Sequence, residues 1–176
     1  AIQGDSVYVV WGNDRRAGLG DVYFNRSLDN GTTWLASDVR INTNTAGAAN
    51  GLYPKIAAFG DAVYIAWEDD RSTRAREDTY FNRSLDRGAT WLPSDVQLNN
   101  DISFFGHAKA PEIAAVDGAV FVIWSDKRNN QPQQDIFLNR SLDDGTTWLP
   151  HVVRVENGPP GAVSSTTPKL AATPNG

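Results

Sequence analysis

One eight-residue phrase occurs three times in this chain. SLDNGTTW starts at Ser27, SLDRGATW at Ser84 and SLDDGTTW at Ser141, with 57 residues between successive starts. A second marker keeps the same period: YPKIAA, APEIAA and TPKLAA place Pro54, Pro111 and Pro168 at that spacing. A third marker is an apolar run closing on tryptophan, VYVVW at Trp11, VYIAW at Trp67 and VFVIW at Trp124. A fixed period of this length means one supersecondary unit repeated, each copy burying its apolar face against the next.

One unit runs from Pro54 to about Ala110. PKIAAF is a short apolar strand, and Gly60-Asp61 is a tight turn. AVYIAW is apolar at nearly every position, which predicts a strand buried on both faces. A polar stretch follows, and DTYFNRS gives a third strand. LDRGAT turns the chain, and Trp91 to Leu98 supplies a fourth, half-exposed outer strand. Four strands in meander order per unit describe a β-propeller blade. The fold class expected is therefore all-β, with about three blade-equivalents of four antiparallel strands. The units are 1–53 (incomplete), 54–110 and 111–167, with 168–176 the first strand of a further blade.

Composition narrows the function. The chain has no Cys, so disulfides, thiolate metal sites and cysteine nucleophiles are excluded. Net charge is −5, which argues against nucleic acid as a partner. No apolar run approaches the ~18 residues of a membrane span. Met is absent, position 1 included, so the expectation is a chain that begins after a processing or cleavage boundary, with any export signal upstream.

The repeated phrase also carries a resemblance. Ser-x-Asp-x-Gly-x-Thr-Trp is similar to the Asp-box, or bacterial neuraminidase repeat, of sialidase-like propellers. It is complete at Ser27, Asp29, Gly31, Thr33, Trp34; at Ser84, Asp86, Gly88, Thr90, Trp91; and at Ser141, Asp143, Gly145, Thr147, Trp148. The surrounding pattern resembles sialidase-like repeat proteins of secreted or cell-surface type. The resemblance implies that the boxes sit on the rim opposite a ligand face. Independently of it, Gly suits the positive φ of a tight turn, the Asp carboxylate accepts turn N–H groups, and Trp buries on the order of 150–250 Å². Asp29, Asp86 and Asp143 are accordingly read as structural.

Candidate ligand residues are few. Arg15, Arg71 and Arg128 each follow a strand-2 Trp by four residues. They read either as a cationic ring for an anionic sugar or, preferably, as blade-to-blade ion pairs with repeated acids such as Asp14 and Asp70. Phe104, Phe105 and His107 form the most distinctive piece of a variable connection. They read as a sugar-stacking or partner-contacting element, or as cover for the core. By resemblance a sialidase needs a Tyr nucleophile, a Glu partnering it, an Asp acid/base and three Arg. The opening Phe/Tyr-Arg-Ile-Pro motif of that family is absent; Tyr53 and Glu112 are the weak catalytic candidates. Acids at Asp14, Glu68-Asp69-Asp70 and Asp101 allow calcium as a cofactor, solvated surface charge being preferred; no other cofactor is implied. Asn25, Asn82 and Asn139 open N-x-S sequons, with structural use preferred.

Three blades do not close a ring, since closed propellers have about four to eight. The remaining blades therefore come from a longer parent chain, the preferred reading, or from a second copy in a six-bladed homodimer. The function expected is a non-catalytic secreted or cell-surface module for glycan or protein recognition. The alternatives are an exo-sialidase or related glycoside hydrolase completed by blades outside this chain, and a purely structural repeat of an extracellular assembly.

Overall fold

The computed structural model describes residues 1–16, 19–72, 76–99, 107–129 and 132–173, with only the backbone at 14–16. It is all-β, in three four-stranded antiparallel sheets of meander order. Blade 1 holds β1 (Ile2–Gln3), β2 (Ser6–Arg16), β3 (Leu19–Ser27) and β4 (Val39–Arg40). Blade 2 holds β5 (Gly51–Phe59), β6 (Ala62–Asp69), β7 (Asp78–Ser84) and β8 (Val96–Gln97). Blade 3 holds β9 (Lys109–Val116), β10 (Ala119–Asp126), β11 (Asp135–Ser141) and β12 (Val153–Arg154). The fold is that of a partial β-propeller.

Strand β6 is buried along its whole length, as its unbroken apolar sequence requires. Alternate β6 side chains serve two different cores. Val63, Ile65 and Trp67 pack against Tyr8, Val22, Phe24 and Ile41 of blade 1. Tyr64, Ala66 and Ala62 pack against Val120, Val122 and Trp124 of blade 3. The cores thus lie between blades, and no blade buries its apolar faces alone.

The outer strands differ from the expectation. Only Val96 and Gln97 of the stretch 91–98 pair with β7. The chain before them is held by Asn82, whose Oδ1 accepts the Leu92 N–H at 3.0 Å, a donor that also reaches Arg83 O at 3.2 Å, and whose Nδ2 donates to Leu92 O and Asp95 Oδ1. This amide thus ties the stretch between the turn and β8 to β7. Asn25 does the same for Leu35. The structure thus shows what the repeated Asn-Arg-Ser does: Asn82 and Asn139 are buried and their amides are in use.

Each Ser-x-Asp-x-Gly-x-Thr-Trp turn is a closed local network. In the first, Ser27 Oγ donates to Asp29 Oδ1 at 2.6 Å, while the Thr33 N–H and hydroxyl donate to the two Asp29 oxygens at 2.8 and 2.6 Å. The other two copies repeat these bonds. The turns also bond the β1–β2, β5–β6 and β9–β10 turns, as in Arg87 N–H to Asp61 O at 2.8 Å. Both sets of turns therefore share one face.

The tryptophan does something the sequence did not disclose. Trp91 meets Phe24 of the preceding blade edge-on at 4.9 Å, and Trp148 meets Phe81 at 4.8 Å. It wedges between blades as well as finishing its own turn.

These turns also set an acid response. Bonds from Ser27 and Thr33 hold Asp29 down at about 2, and those from Ser141 and Thr147 hold Asp143 at about 2. A carboxyl depressed in the folded state stabilises above its unfolded value and loses that contribution as pH falls through the folded one. Folding stability should therefore decline as pH drops from about 4 toward about 2. Urea midpoints measured across that window should fall less steeply in Asp143→Asn than in the parent.

Candidate functional site

The opposite face carries the ends of β2, β6 and β10 and the starts of β5 and β9. The inner strands β5 and β9 each carry a residue in the left-handed region just before their proline, Tyr53 with φ 50° and Ala110 with φ 50°. Thr167 before Pro168 repeats the conformation with φ 51°, but residues 168–173, expected as the first strand of a further blade, form no strand among the described residues. At Pro54 the ladder shifts register, between Leu52 and Lys55 in blade 2, because proline has no N–H to give it. The kink turns Tyr53 outward into solvent.

Between blades 2 and 3 this face opens into a cleft of about 560 Å³, lined by Tyr53, Lys55, Glu68, Glu77, Lys109 and Glu112, and by the tail around Lys169. Glu112 on β9 joins a lysine of β5 to a lysine of the tail. Lys55 approaches it at 3.0 Å and Lys169 at 2.5 Å. Burial works against its ionisation, but the bonds from Lys169 and Lys55 prevail and hold the carboxyl below its ordinary range.

Deeper in the cleft two carboxyl groups are pushed apart. Glu68 is 4% exposed and accepts the Ala110 N–H at 2.5 Å. Burial, reinforced by the charge of Glu77, raises it above the ordinary range despite Ala110 and Lys109. Burial also acts to raise Glu77, but His107 Nδ1 at 2.7 Å and Lys109 Nζ at 3.1 Å outweigh it and keep this group ionised. One protonatable acid and one fixed anion in a single cleft is an arrangement that acid–base chemistry requires.

The expected site residues fall out as follows. Tyr53 and Glu112 line the same cleft, but Glu112 is engaged by the two lysines. His107 does not line the cleft but bonds Glu77, which does, at 2.7 Å. Phe104, Phe105 and the side chain of Arg15 lie outside the described residues.

Arg71 and Arg128 are occupied within their own blades. Arg71 bonds Asp69 at 2.6 Å and Asp95 at 2.7 Å and lies 4.0 Å over the Tyr80 ring. Arg128 bonds Asp126 at 2.5 Å and lies 4.3 Å over Phe137. The ion pairs are therefore within a blade rather than between blades, because each Arg stands two positions after the last Asp of strand 2 and the chain turns there, bringing its backbone N–H and guanidinium back onto that carboxylate. Asp70 instead accepts two bonds from Asn50.

Glu68, Asp69 and Asp70 thus diverge to three different partners. Among the described residues no group of three or more His, Asp or Glu side chains gathers to hold a cation. No described helix is long and apolar enough to cross a membrane.

Sequence reasoning missed Glu77 and Lys109 and saw Glu68 only as one of three acids. The signal was there in the aligned repeats. Glu68 stands where the other units have Gly12 and Ser125; Glu77 where they have Gly20 and Gln134; Lys109 where they have Leu52 and Thr166. Departure from the repeat marks residues that the scaffold does not need.

Comparison with known proteins places the fold. An α-L-arabinanase of Penicillium chrysogenum superposes with a TM-score of 0.55 at 14% identity, over 78% of this chain and 41% of its own. The α-L-arabinofuranosidase of Fusarium graminearum gives 0.55 at 13% identity, over 78% and 42%. A mutant of Trypanosoma rangeli sialidase that displays trans-sialidase activity gives 0.56 at 16%, over 84% and 28%. The chain spans less than half the length of each. No protein family and no curated protein matches the sequence. At these identities the likeness is one of fold: part of a propeller like those of glycosidases.

Proposed function

We propose that this chain is part of a secreted or cell-surface propeller of the Asp-box, sialidase-like kind, and that it recognises a glycan in the cleft between blades 2 and 3. The observation that carries this reading is the convergence of Glu68, Glu77 and Lys109, three residues that break the repeat, in one cleft opposite the Ser-x-Asp-x-Gly-x-Thr-Trp turns, with His107 bonded to Glu77. Alternating carboxylates and ammonium groups suit sugar hydroxyls, which both donate and accept. With Arg71 and Arg128 held by their own aspartates, the cleft favours a neutral sugar over an anionic one. Similarity of fold to an arabinanase and an arabinofuranosidase supports the same class of ligand.

The test is titration calorimetry with neutral oligosaccharides, arabino-oligosaccharides first, and with sialosides in parallel. Lys109→Ala should weaken binding about tenfold to a hundredfold, the worth of a charge-assisted hydrogen bond. Lys127→Ala, outside the cleft, should leave it unchanged. Absence of binding to any glycan, or equal loss in both variants, overturns the reading.

One observation favours hydrolysis as a second reading: Glu68 is placed to donate a proton and Glu77 to remain an anion, the division of labour of a two-carboxylate glycosidase. Here the decisive measurement is release of aryl alcohol from aryl arabinofuranosides, by this chain or a longer one containing it. Turnover that disappears in Glu68→Gln while binding persists supports it; binding without turnover leaves the module non-catalytic.

A further inference from the structure

Blade 2 is flanked on both sides, yet Tyr53 on its inner strand is 65% exposed. Its backbone stands in the left-handed region, with φ 50°, where a bulky side chain is rare. The scaffold sets that backbone, since Ala110 and Thr167 share it before their own prolines. It does not ask for the ring, because alanine and threonine serve at the same register. Among the described residues none bonds the Tyr53 hydroxyl.

The cleft beside it belongs to one junction only of the two. Between blades 1 and 2 the corresponding positions are Gly12 and Gly20, and a Cβ on either would lie 3.1 or 3.3 Å from Gly51 O, so the backbones close up there. Between blades 2 and 3 Glu68 and Glu77 stand at that register and line the open space of about 560 Å³. These two carboxyl groups and Lys109 give the cleft its polar side. Tyr53 is the one aromatic residue among the described residues that line it.

We propose that Tyr53 is the platform on which the cleft's sugar stacks, its ring meeting the C–H face while the charged groups meet the hydroxyls. The role rests on the glycan reading of the cleft and deepens it. A sugar ring has two chemistries. Its edge carries hydroxyls, which donate and accept. Its faces carry C–H bonds, which the carboxyl and ammonium groups of the cleft cannot satisfy. An aromatic face is apolar and electron-rich, and suits polarised C–H groups. Ligand sites combine an apolar or aromatic wall with a few placed polar groups in this way. The ligand class is therefore a neutral cyclic sugar with an open C–H face. The role falls to the ring, so the hydroxyl that a Tyr nucleophile would use is dispensable for it.

Arabinotriose is the probe, titrated by calorimetry into the parent, Tyr53→Phe and Tyr53→Ala. Tyr53→Phe should bind as the parent does, and Tyr53→Ala about tenfold more weakly, the worth of one aromatic contact. Circular dichroism of Tyr53→Ala should match the parent, because Ala110 holds the same backbone conformation in blade 3. In proton NMR the sugar C–H resonances should move upfield on binding to the parent and to Tyr53→Phe, and not to Tyr53→Ala. A residue that only shaped the loop would give no such ring-current shift. Unweakened binding by Tyr53→Ala overturns the proposal, and leaves the glycan reading standing when Lys109→Ala weakens the same titration. A loss in Tyr53→Phe as large as in Tyr53→Ala overturns it by assigning the contact to the hydroxyl. Refusal of arabinotriose by the parent overturns it too, and the glycan reading falls with it only when every other oligosaccharide is refused.

Discussion

Gly88→Ala should cost about 2–5 kcal/mol of folding stability, whereas Gly31→Ala, at the same position of the same turn, should cost about 1–2. Both glycines are left-handed, with φ of 82° and 85°, so the backbone penalty of a side chain is common to both. They differ in what lies opposite. A Cβ on Gly88 would sit 2.6 Å from Phe24 Cζ, inside the neighbouring blade. A Cβ on Gly31 would meet only its own turn's Trp34, at 4.0 Å. Urea denaturation of the two variants measures the difference, which is the steric part of one blade junction. Phe24→Leu in the Gly88→Ala background should recover part of the loss, since neighbouring substitutions couple. Equal costs at the two glycines would mean that the turns do not wedge between blades.

The second large effect is expected at Asp69. It is fully buried and accepts the Trp67 indole N–H at 3.1 Å, the Arg71 backbone N–H at 2.9 Å and the Arg71 guanidinium at 2.6 Å. Asp69→Ala leaves the Trp67 indole and the Arg71 N–H without an acceptor and leaves the guanidinium with Asp95 alone, a change that costs about 2–4 kcal/mol. That is a large part of the stability of a domain this size. Asp70→Ala, one residue on, loses only the part-buried bonds from Asn50 and should cost about 1–2 kcal/mol. Thermal and urea unfolding of the pair checks the ordering. The reverse ordering would place the ion pair on Asp70, as the sequence alone suggested.

Asp69 and Asp70 illustrate what was legible beforehand. The repeat identified Trp67, the acids after it and Arg71 as one recurring constellation. It could not say which acid faces inward, because that depends on the pleat at the strand's last residue. The buried strand β6 was legible, since apolar residues at consecutive positions have only one use in a meander. The outer strand was overread: Val96 and Leu98 alternate as a strand should, but the ladder with β7 is only two residues long, and the chain before it is tied to β7 by the side-chain amide of Asn82 as well as by backbone.

The cleft was the least visible feature, although its residues differ from repeat to repeat. Glu68 sits on β6, Glu77 at the entry to β7 and Lys109 at the start of β9. Their sequence separations carry no hint of contact. Only packing blade 3 on blade 2 brings the Ala110 N–H to Glu68, and His107 and Lys109 to Glu77.

The sequence by itself determined the unit: its length, its four strands in order, and the glycine and aspartate that close each turn. Those choices are local, made by residues within a few positions of one another. Tertiary structure alone decided which ring each tryptophan leaves its own turn to meet, which arginines are spent within their blades, and where unlike charges converge. Those outcomes depend on the rotation from one blade to the next, which no single repeat contains.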